Sequence, residues 1–134
     1  MKPQIKVLVM DDEPIVCKRL KPYLEKAGYE VEIFFDGPSA LKRVQEKTFD
    51  IVVTDLKMEG FDGIQLLEEV KQRSPHSEVI VITGFATIET AKESFHKGAF
   101  DFIAKPFKLN ELRKIIERAE AKLREKDVSM AKNF

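Results

Sequence analysis

Three carboxylates, one hydroxyl and one ammonium group each stand directly after a short apolar stretch of this 134-residue chain. They belong to Asp11, Asp12, Asp55, Thr83 and Lys105. Two unit negative charges about 4 Å apart in water repel each other by about 1 kcal/mol, and by more at a partly dry site. Neighbouring carboxylates must therefore hold a proton or bind a cation. Because no histidine or cysteine stands near them, their hard oxygen ligands favour Mg²⁺ over zinc.

Lys105 and Thr83 add groups that suit an anion arriving at such a metal. The lysine ammonium provides a positive charge and the threonine hydroxyl a neutral hydrogen bond, so the set is suited to a phosphoryl group. An aspartate at the end of a strand can attack phosphorus and form an acyl phosphate. Asp55 is the candidate nucleophile, because it follows the central strand of the predicted sheet.

Short apolar runs that alternate with amphipathic stretches predict five strand–helix units. The runs predicted as strands are Lys6–Met10, Tyr29–Phe34, Ile51–Thr54, Val79–Ile82 and Phe102–Ala104. Three of them are continuous and rich in β-branched residues, which is typical of strands buried on both faces of a parallel sheet. The predicted fold class is therefore α/β, a doubly wound five-stranded parallel sheet with right-handed crossovers.

Helical periodicity fills the segments between these runs. The predicted helices start at Pro14 and end before Gly28, then cover Gly37–Glu46, Ile64–Lys71, Thr87–Lys97 and Leu109–Lys126. Pro22 lies inside the first helix, where it removes one backbone hydrogen bond. Parallel strands bring their carboxyl ends to one edge of the sheet, where ligands bind in such folds. We therefore expect the five polar residues to meet there.

The composition bounds the class of protein. Hydrophobic residues make up 43% of the chain, enough for one core, and we predict a single domain over residues 1–126 with a flexible tail over residues 127–134. The 23 Lys and Arg residues balance the 23 Asp and Glu residues. The chain therefore lacks the basic excess that is typical of proteins that bind nucleic acids directly. No stretch is apolar enough to cross a membrane. The single cysteine, Cys17, cannot form an internal disulfide, and a cytoplasmic location is expected.

The ordered set of motifs resembles one family across about Ile5–Ala121. Asp11-Asp12, Asp55, Thr83-Gly84 and Lys105-Pro106-Phe107 are similar to the motifs of response-regulator receiver domains, the CheY-like domains of two-component signalling. The runs Thr83–Ala91 and Gly98–Phe107 further resemble receivers that precede σ54-activator ATPase modules, as in NtrC-type regulators. The resemblance implies a flavodoxin-like (βα)5 fold with strand order 2-1-3-4-5.

The resemblance also implies a role for each site residue. Asp55 would accept a phosphoryl group from the phosphohistidine of a histidine kinase or of a phosphotransfer protein. Asp12, Asp55 and the backbone carbonyl of Lys57 would bind Mg²⁺ directly, and Asp11 would act through water. Lys105 would contact the phosphoryl oxygens.

Further implied features concern the switch and its output. The bond between Lys105 and Pro106 would be cis, and Thr83 and Phe102 would change position on phosphorylation. The fourth helix, fifth strand and fifth helix would form the face that controls an output domain or partner. The protein would then be a signalling switch that catalyses its own phosphorylation and dephosphorylation, not a turnover enzyme.

Two positions depart from the pattern of similar sequences. Glu59 stands where proline is common after the phosphoacceptor, which predicts a less rigid loop with an extra charge. Phe102 stands where tyrosine is common, so the switch aromatic has no hydroxyl. These changes concern lifetime and output more than the phosphorylation chemistry.

Other interpretations of the same residues stay open. Asp11-Asp12-Glu13 could cap the first helix. Thr83-Gly84 could be an ordinary transition from strand to loop. Glu117–Lys126 could be a solvated helix face or the start of a coiled coil. The protein could also be a stand-alone dimerising or docking receiver, with a homodimer contact through the fourth helix, fifth strand and fifth helix or through an extended last helix. An aspartyl-nucleophile phosphatase is disfavoured, because the first strand is not followed by Asp-x-Asp-x-Thr.

Overall fold

A computed structural model describes residues 3–58 and 60–132, with side chains through residue 125. The five strands of its main sheet, numbered here in chain order, are β1 (Lys6–Met10), β2 (Glu30–Phe34), β3 (Ile51–Asp55), β4 (Glu78–Thr83) and β5 (Asp101–Ala104). Each strand lies within two residues of its predicted bounds. Glu59, the predicted departure in the loop after Asp55, falls outside the described residues.

The main sheet is parallel throughout and has the strand order β2-β1-β3-β4-β5. The predicted fold class and strand order are therefore confirmed. Strand β3 lies at the centre and every one of its residues is buried, which explains its continuous apolar sequence. Asp55 pairs in register with Ile82, and Thr83 pairs with Ala104. The register thus brings the ends of β3, β4 and β5 to one edge.

Five helices cover the two faces of the sheet. They are α1 (Pro14–Lys26), α2 (Gly37–Glu46), α3 (Gly63–Arg73), α4 (Ile88–His96) and α5 (Leu109–Lys132). Helices α1 and α5 bury Leu20, Leu24, Leu112 and Ile116 against one face. Helices α2 and α3 cover the opposite face, and α4 contacts β5. The core is therefore split into two layers by the sheet.

The helix ends follow local sequence signals. Asp36 accepts a hydrogen bond from the Ser39 amide at 2.7 Å and caps α2, and Thr87 forms a capping box with Thr90 at the start of α4. Helix α1 runs continuously through Pro22. Helix α5 extends to Lys132 and passes the predicted end at Lys126, because no glycine or proline interrupts it.

A short antiparallel pair was not predicted. Lys57–Met58 pairs with Phe61–Asp62 between β3 and α3, and Gly60, with φ 72°, lies in the turn. Glycine adopts such a positive φ without the steric cost that other residues meet. We call this pair the β3–α3 hairpin. Two-residue strands are too short to produce a recognisable alternation in the sequence.

None of the helices in the described part of the chain is both long and apolar enough to cross a membrane.

Candidate phosphoryl and metal site

Asp55 ends the central strand and is almost fully buried, with 4% of its surface exposed. Its Oδ1 accepts a hydrogen bond from the Lys57 amide at 3.2 Å, and its Oδ2 accepts one from Lys105 Nζ at 2.9 Å. The backbone behind it is closely packed, since a Cβ atom at Gly63 would overlap the Asp55 carbonyl oxygen. Burial and these contacts hold the carboxylate in one orientation.

Asp11 and Asp12 follow β1, the neighbour of β3 in the sheet. Asp11 is fully buried, whereas Asp12 is exposed. One carboxylate oxygen from each of Asp11, Asp12 and Asp55 lies within 4.8 Å of the others. The structure therefore brings the three predicted carboxylates together, with one of them open to solvent.

Lys105 is the cation that faces these carboxylates. Its Nζ lies 2.7 Å from Asp11 Oδ2, 2.9 Å from Asp55 Oδ2 and 2.9 Å from Glu13 Oε1. Burial opposes the charge on this lysine, but its contacts with Asp11, Asp55 and Glu13 outweigh that effect and raise its pKa above the usual range. Lys105 therefore stays protonated at neutral pH.

The Asp11 carboxylate is the most deeply buried of the three carboxylates in this cluster. Burial raises the pKa of the Asp11 carboxyl, although the contact with Lys105 and a hydrogen bond from the Glu13 amide act in the opposite direction. Asp11 Oδ2 is buried and accepts no well-aligned hydrogen bond from any described residue, despite its ion pair with Lys105. Three hard oxygen donors within 4.8 Å of one another, only one of them open to solvent, fit Mg²⁺ or a metal-bound water.

Thr83 and Phe102 lie on the neighbouring strands β4 and β5. Thr83 is fully buried, and its Oγ1 accepts a hydrogen bond from the Phe85 amide at 3.0 Å. The Lys105 amide donates to the Thr83 carbonyl at 2.7 Å, so the ends of the two strands are joined. Phe102 is half-buried and packs against the core layer under α2 and α3. The Lys105–Pro106 peptide bond is cis.

Glu13 is a site residue whose contact the sequence did not reveal. It occupies the N-cap position of α1 but makes no side-chain cap, and its carboxylate contacts Lys105 instead. The capping interpretation therefore does not hold for the Glu13 side chain, whereas Asp11 Oδ1 does accept the Glu13 amide at 2.8 Å. A third acidic residue after Asp11-Asp12 was the available signal, but sequence cannot show which cation it meets.

The sequence is similar to known proteins over most of its length. A family model described as "Response regulator receiver domain" matches residues 7–117. The transcriptional regulatory protein ZraR of Salmonella typhimurium (strain LT2) is 38% identical over 122 residues, which are 91% of this chain and 28% of ZraR. The chain thus spans less than a third of the length of this relative.

Solved structures are similar to the chain as well. A CheY-like receiver domain protein from Methanospirillum hungatei JF-1 aligns with TM-score 0.85 and 30% identity, covering 92% of this chain and 99% of that one. A response regulator from Burkholderia pseudomallei, solved with a phosphorylated aspartic acid, a calcium ion and citrate, aligns with TM-score 0.80 and 26% identity over 94% of this chain and 75% of that one. This chain belongs to the family of response-regulator receiver domains of two-component signalling, as its motifs predicted.

Proposed function

We propose that Asp55 is the phosphoacceptor of this receiver domain and takes its phosphoryl group from the phosphohistidine of a histidine kinase. The observation that carries the proposal is the Asp55 carboxylate at the end of the central strand, 2.9 Å from Lys105 and beside two further carboxylates. In the transfer, a P–O bond to Asp55 forms, the P–N bond to histidine breaks, and the released imidazole takes up a proton.

Mg²⁺ is the cofactor in this proposal. Asp12 and Asp55 would bind it directly together with the backbone carbonyl of Lys57, and Asp11 would act through water. The hard donor set and the close spacing of the three carboxylates support this choice. When bound, the ion supplies positive charge that offsets the charge of the carboxylates and of the incoming phosphoryl oxygens.

Lys105 and Thr83 would bind the phosphoryl oxygens. Lys105 already contacts the Asp55 oxygen, so it needs only a small movement to reach a group attached there. The Thr83 hydroxyl accepts the Phe85 amide but keeps its own proton to donate. The Burkholderia pseudomallei relative carries a phosphorylated aspartic acid and a calcium ion, which supports the same chemistry here.

The output would be conformational. Thr83 would turn toward the phosphoryl group, and half-buried Phe102 would move inward, which would alter the face formed by α4, β5 and α5. The protein in this proposal catalyses its own phosphorylation and dephosphorylation and acts as a switch, not as an enzyme that turns over substrate.

The phosphodonor would enter through a groove beside Lys105. This groove has a volume of about 820 Å³ and lies between α1 and the loop that follows β5. Val16 and Tyr23 line one side, and Pro106 and Phe107 line the other. A partner with a histidine on an apolar helix surface fits such a groove.

A cytoplasmic location belongs to the same proposal, because the buried thiol of Cys17 suits a reducing compartment.

A homodimer is the second candidate for the output. Phe85, Ile88 and Phe95 expose 64%, 75% and 49% of their surfaces, and all three lie on or next to α4. Exposed apolar side chains grouped in this way are typical of an interaction surface. We call these three residues the α4 patch and propose that phosphorylation favours its burial against a second copy of the chain.

The first prediction tests the phosphoacceptor. Incubation with Mg²⁺ and acetyl phosphate or phosphoramidate should add one phosphoryl group to the wild-type protein, and Asp55→Asn should remove this adduct. Intact-mass spectrometry measures the result. Asp50→Asn is the matched control, because Asp50 lies at the opposite end of β3, where it accepts the Lys6 amide at 2.8 Å. An adduct of unchanged yield in Asp55→Asn would contradict the proposal.

A further inference from the structure

Gly37, the first residue of α2, lies directly against the aromatic ring of Phe61 in the β3–α3 hairpin. A Cβ atom at position 37 would overlap three atoms of that ring, so no other residue fits there without moving Phe61. Gly37 is buried and its φ is not in the left-handed region, so the close approach of the ring is what requires glycine.

The helix end fixes the position of Gly37. Asp36 accepts hydrogen bonds from the amide and the hydroxyl of Ser39, at 2.7 and 2.8 Å. The surface against which the Phe61 ring packs is therefore rigid.

The two paired strands of the β3–α3 hairpin connect Phe61 to Lys57. Phe61 pairs with Met58, and Asp62 pairs with Lys57, so the two short strands move together. At the other end of the hairpin, the Gly63 amide donates to the Leu56 carbonyl at 2.8 Å. The segment that carries Lys57 is thus held at its base by Gly63 and near its turn by Phe61.

We infer that the Phe61 ring packed on Gly37 is a positioning contact that holds the backbone carbonyl of Lys57 where Mg²⁺ needs it, an inference that rests on the proposed function. Neither side chain carries an atom that could bind Mg²⁺ or accept the phosphoryl group. This segment lacks the proline that is common in similar sequences. The contact between Phe61 and α2 restrains the backbone of the segment instead of that proline. Groups that orient metal ligands typically change metal affinity by roughly 10–100-fold when they are altered.

The test compares four variants with the wild-type protein. Gly37→Ala pushes the ring away, Phe61→Ala removes it, and the double variant removes the overlap that Gly37→Ala creates. Pro38→Ala is the matched control, because it alters the same helix turn at an exposed position. Mg²⁺ affinity is measured by titration, followed through the NMR amide signals of Lys57 and Asp12. Thermal unfolding in EDTA measures fold stability separately.

We expect Gly37→Ala and Phe61→Ala each to raise the Mg²⁺ concentration at half-saturation by roughly tenfold. The double variant should bind Mg²⁺ no more weakly than Phe61→Ala, and Pro38→Ala should match the wild type. Should Gly37→Ala fail to fold, Phe61→Ala decides the question by the same titration. Wild-type Mg²⁺ affinity in Phe61→Ala, with only a lower unfolding temperature in EDTA, overturns the inference. Absence of both Mg²⁺ binding and a phosphoryl adduct in the wild type overturns the proposed function instead.

Discussion

At the scale of single residues, Lys105 supplies the positive charge that faces the carboxylates of the site. Its ammonium lies within 2.9 Å of carboxylate oxygens from Asp11, Glu13 and Asp55. Only 13% of the Lys105 side chain is exposed, so these contacts are weakly screened by water. A cation that enters the cluster must therefore share these carboxylates with Lys105.

Replacement of Lys105 by methionine should separate its effect on Mg²⁺ affinity from its effect on the rate of phosphorylation. We expect Lys105→Met to bind Mg²⁺ more tightly than the wild type, because no positive charge competes for Asp11 and Asp55. Its phosphorylation by a small phosphodonor should slow by roughly 100-fold, since loss of one group that stabilises the transition state costs about that much. Mg²⁺ titration and time-resolved intact-mass spectrometry measure the two results.

The exposed Lys108 on the same loop provides the control for net charge. Lys108→Met removes an equal charge but should leave both measurements close to wild type. If Lys105→Met and Lys108→Met change Mg²⁺ affinity equally, the effect is long-range and the proposed competition at the carboxylates is wrong.

At the scale of elements, β2 and α2 are joined by a charged cluster at the edge of the sheet. Glu32 accepts hydrogen bonds from Arg43 Nε and Lys47 Nζ, both at 2.8 Å, and Lys47 also contacts Glu30 at 3.2 Å. The hydrogen bond from Arg43, followed by that from Lys47, lowers the pKa of Glu32 to about 2. Charged side chains along an edge strand also disfavour pairing with another chain.

This cluster predicts a pH-dependent contribution to stability. The pKa of Glu32 falls from 4.5 when unperturbed to about 2 in the fold, so its contribution is complete above pH 4.5 and is lost as the pH falls toward 2. We expect Glu32→Gln to lower the free energy of unfolding by about 0.5–1 kcal/mol at neutral pH, because the pair is partly exposed. Urea unfolding of both proteins between neutral pH and about pH 3 measures this.

The difference between wild type and Glu32→Gln should shrink as the pH is lowered through that window. Glu25→Gln is a suitable control, because Glu25 pairs with Lys21 on the surface of α1 with 46% of its side chain exposed. A difference that stays constant with pH would assign the Glu32 effect to packing instead of charge.

At the scale of the whole molecule, the α4 patch begins beside the candidate phosphoryl site, because the Phe85 amide donates to Thr83 Oγ1 at 3.0 Å. The site lies at the carboxyl edge of the sheet, whereas Ile88 and Phe95 lie one above the other on α4, seven residues apart. Ser94 is the buried residue of α4, so this helix has little apolar attachment to the core. A weakly attached helix is a suitable element to shift when the site changes.

We expect beryllofluoride with Mg²⁺ to increase the sedimentation coefficient of the wild-type protein and Ile88→Ser to prevent this increase. The reason is that a serine removes apolar surface from the centre of the proposed contact. Phosphorylation of Asp55 should be unaffected in this variant. Ile15→Ser is the matched control, because Ile15 is an isoleucine with 59% exposure on α1. A monomer under both conditions would contradict the proposed dimer.

The fold could be predicted closely from local patterns. Three continuous β-branched runs indicated the buried strands β1, β3 and β4. The residues that follow these runs and the run Phe102–Ala104 indicated the carboxylates, Thr83 and Lys105. These signals are local, because strand burial and helix capping depend on neighbours in the chain. The β3–α3 hairpin was not predicted, since two-residue strands leave no period. An extension of the last helix was one of two open interpretations, and the structure continues α5 to Lys132, where the sequence has no stop signal.

The sequence by itself determined which chemical groups stand at the ends of the strands, because alternation of strands and helices fixes where each strand stops. Only the tertiary structure decided which of these groups touch. It placed the Glu13 carboxylate on Lys105, left Asp11 Oδ2 without a well-aligned donor among the described residues, and packed Phe61 on Gly37. Contacts of this kind join segments far apart in the chain, and their distances depend on the register and packing of the whole sheet.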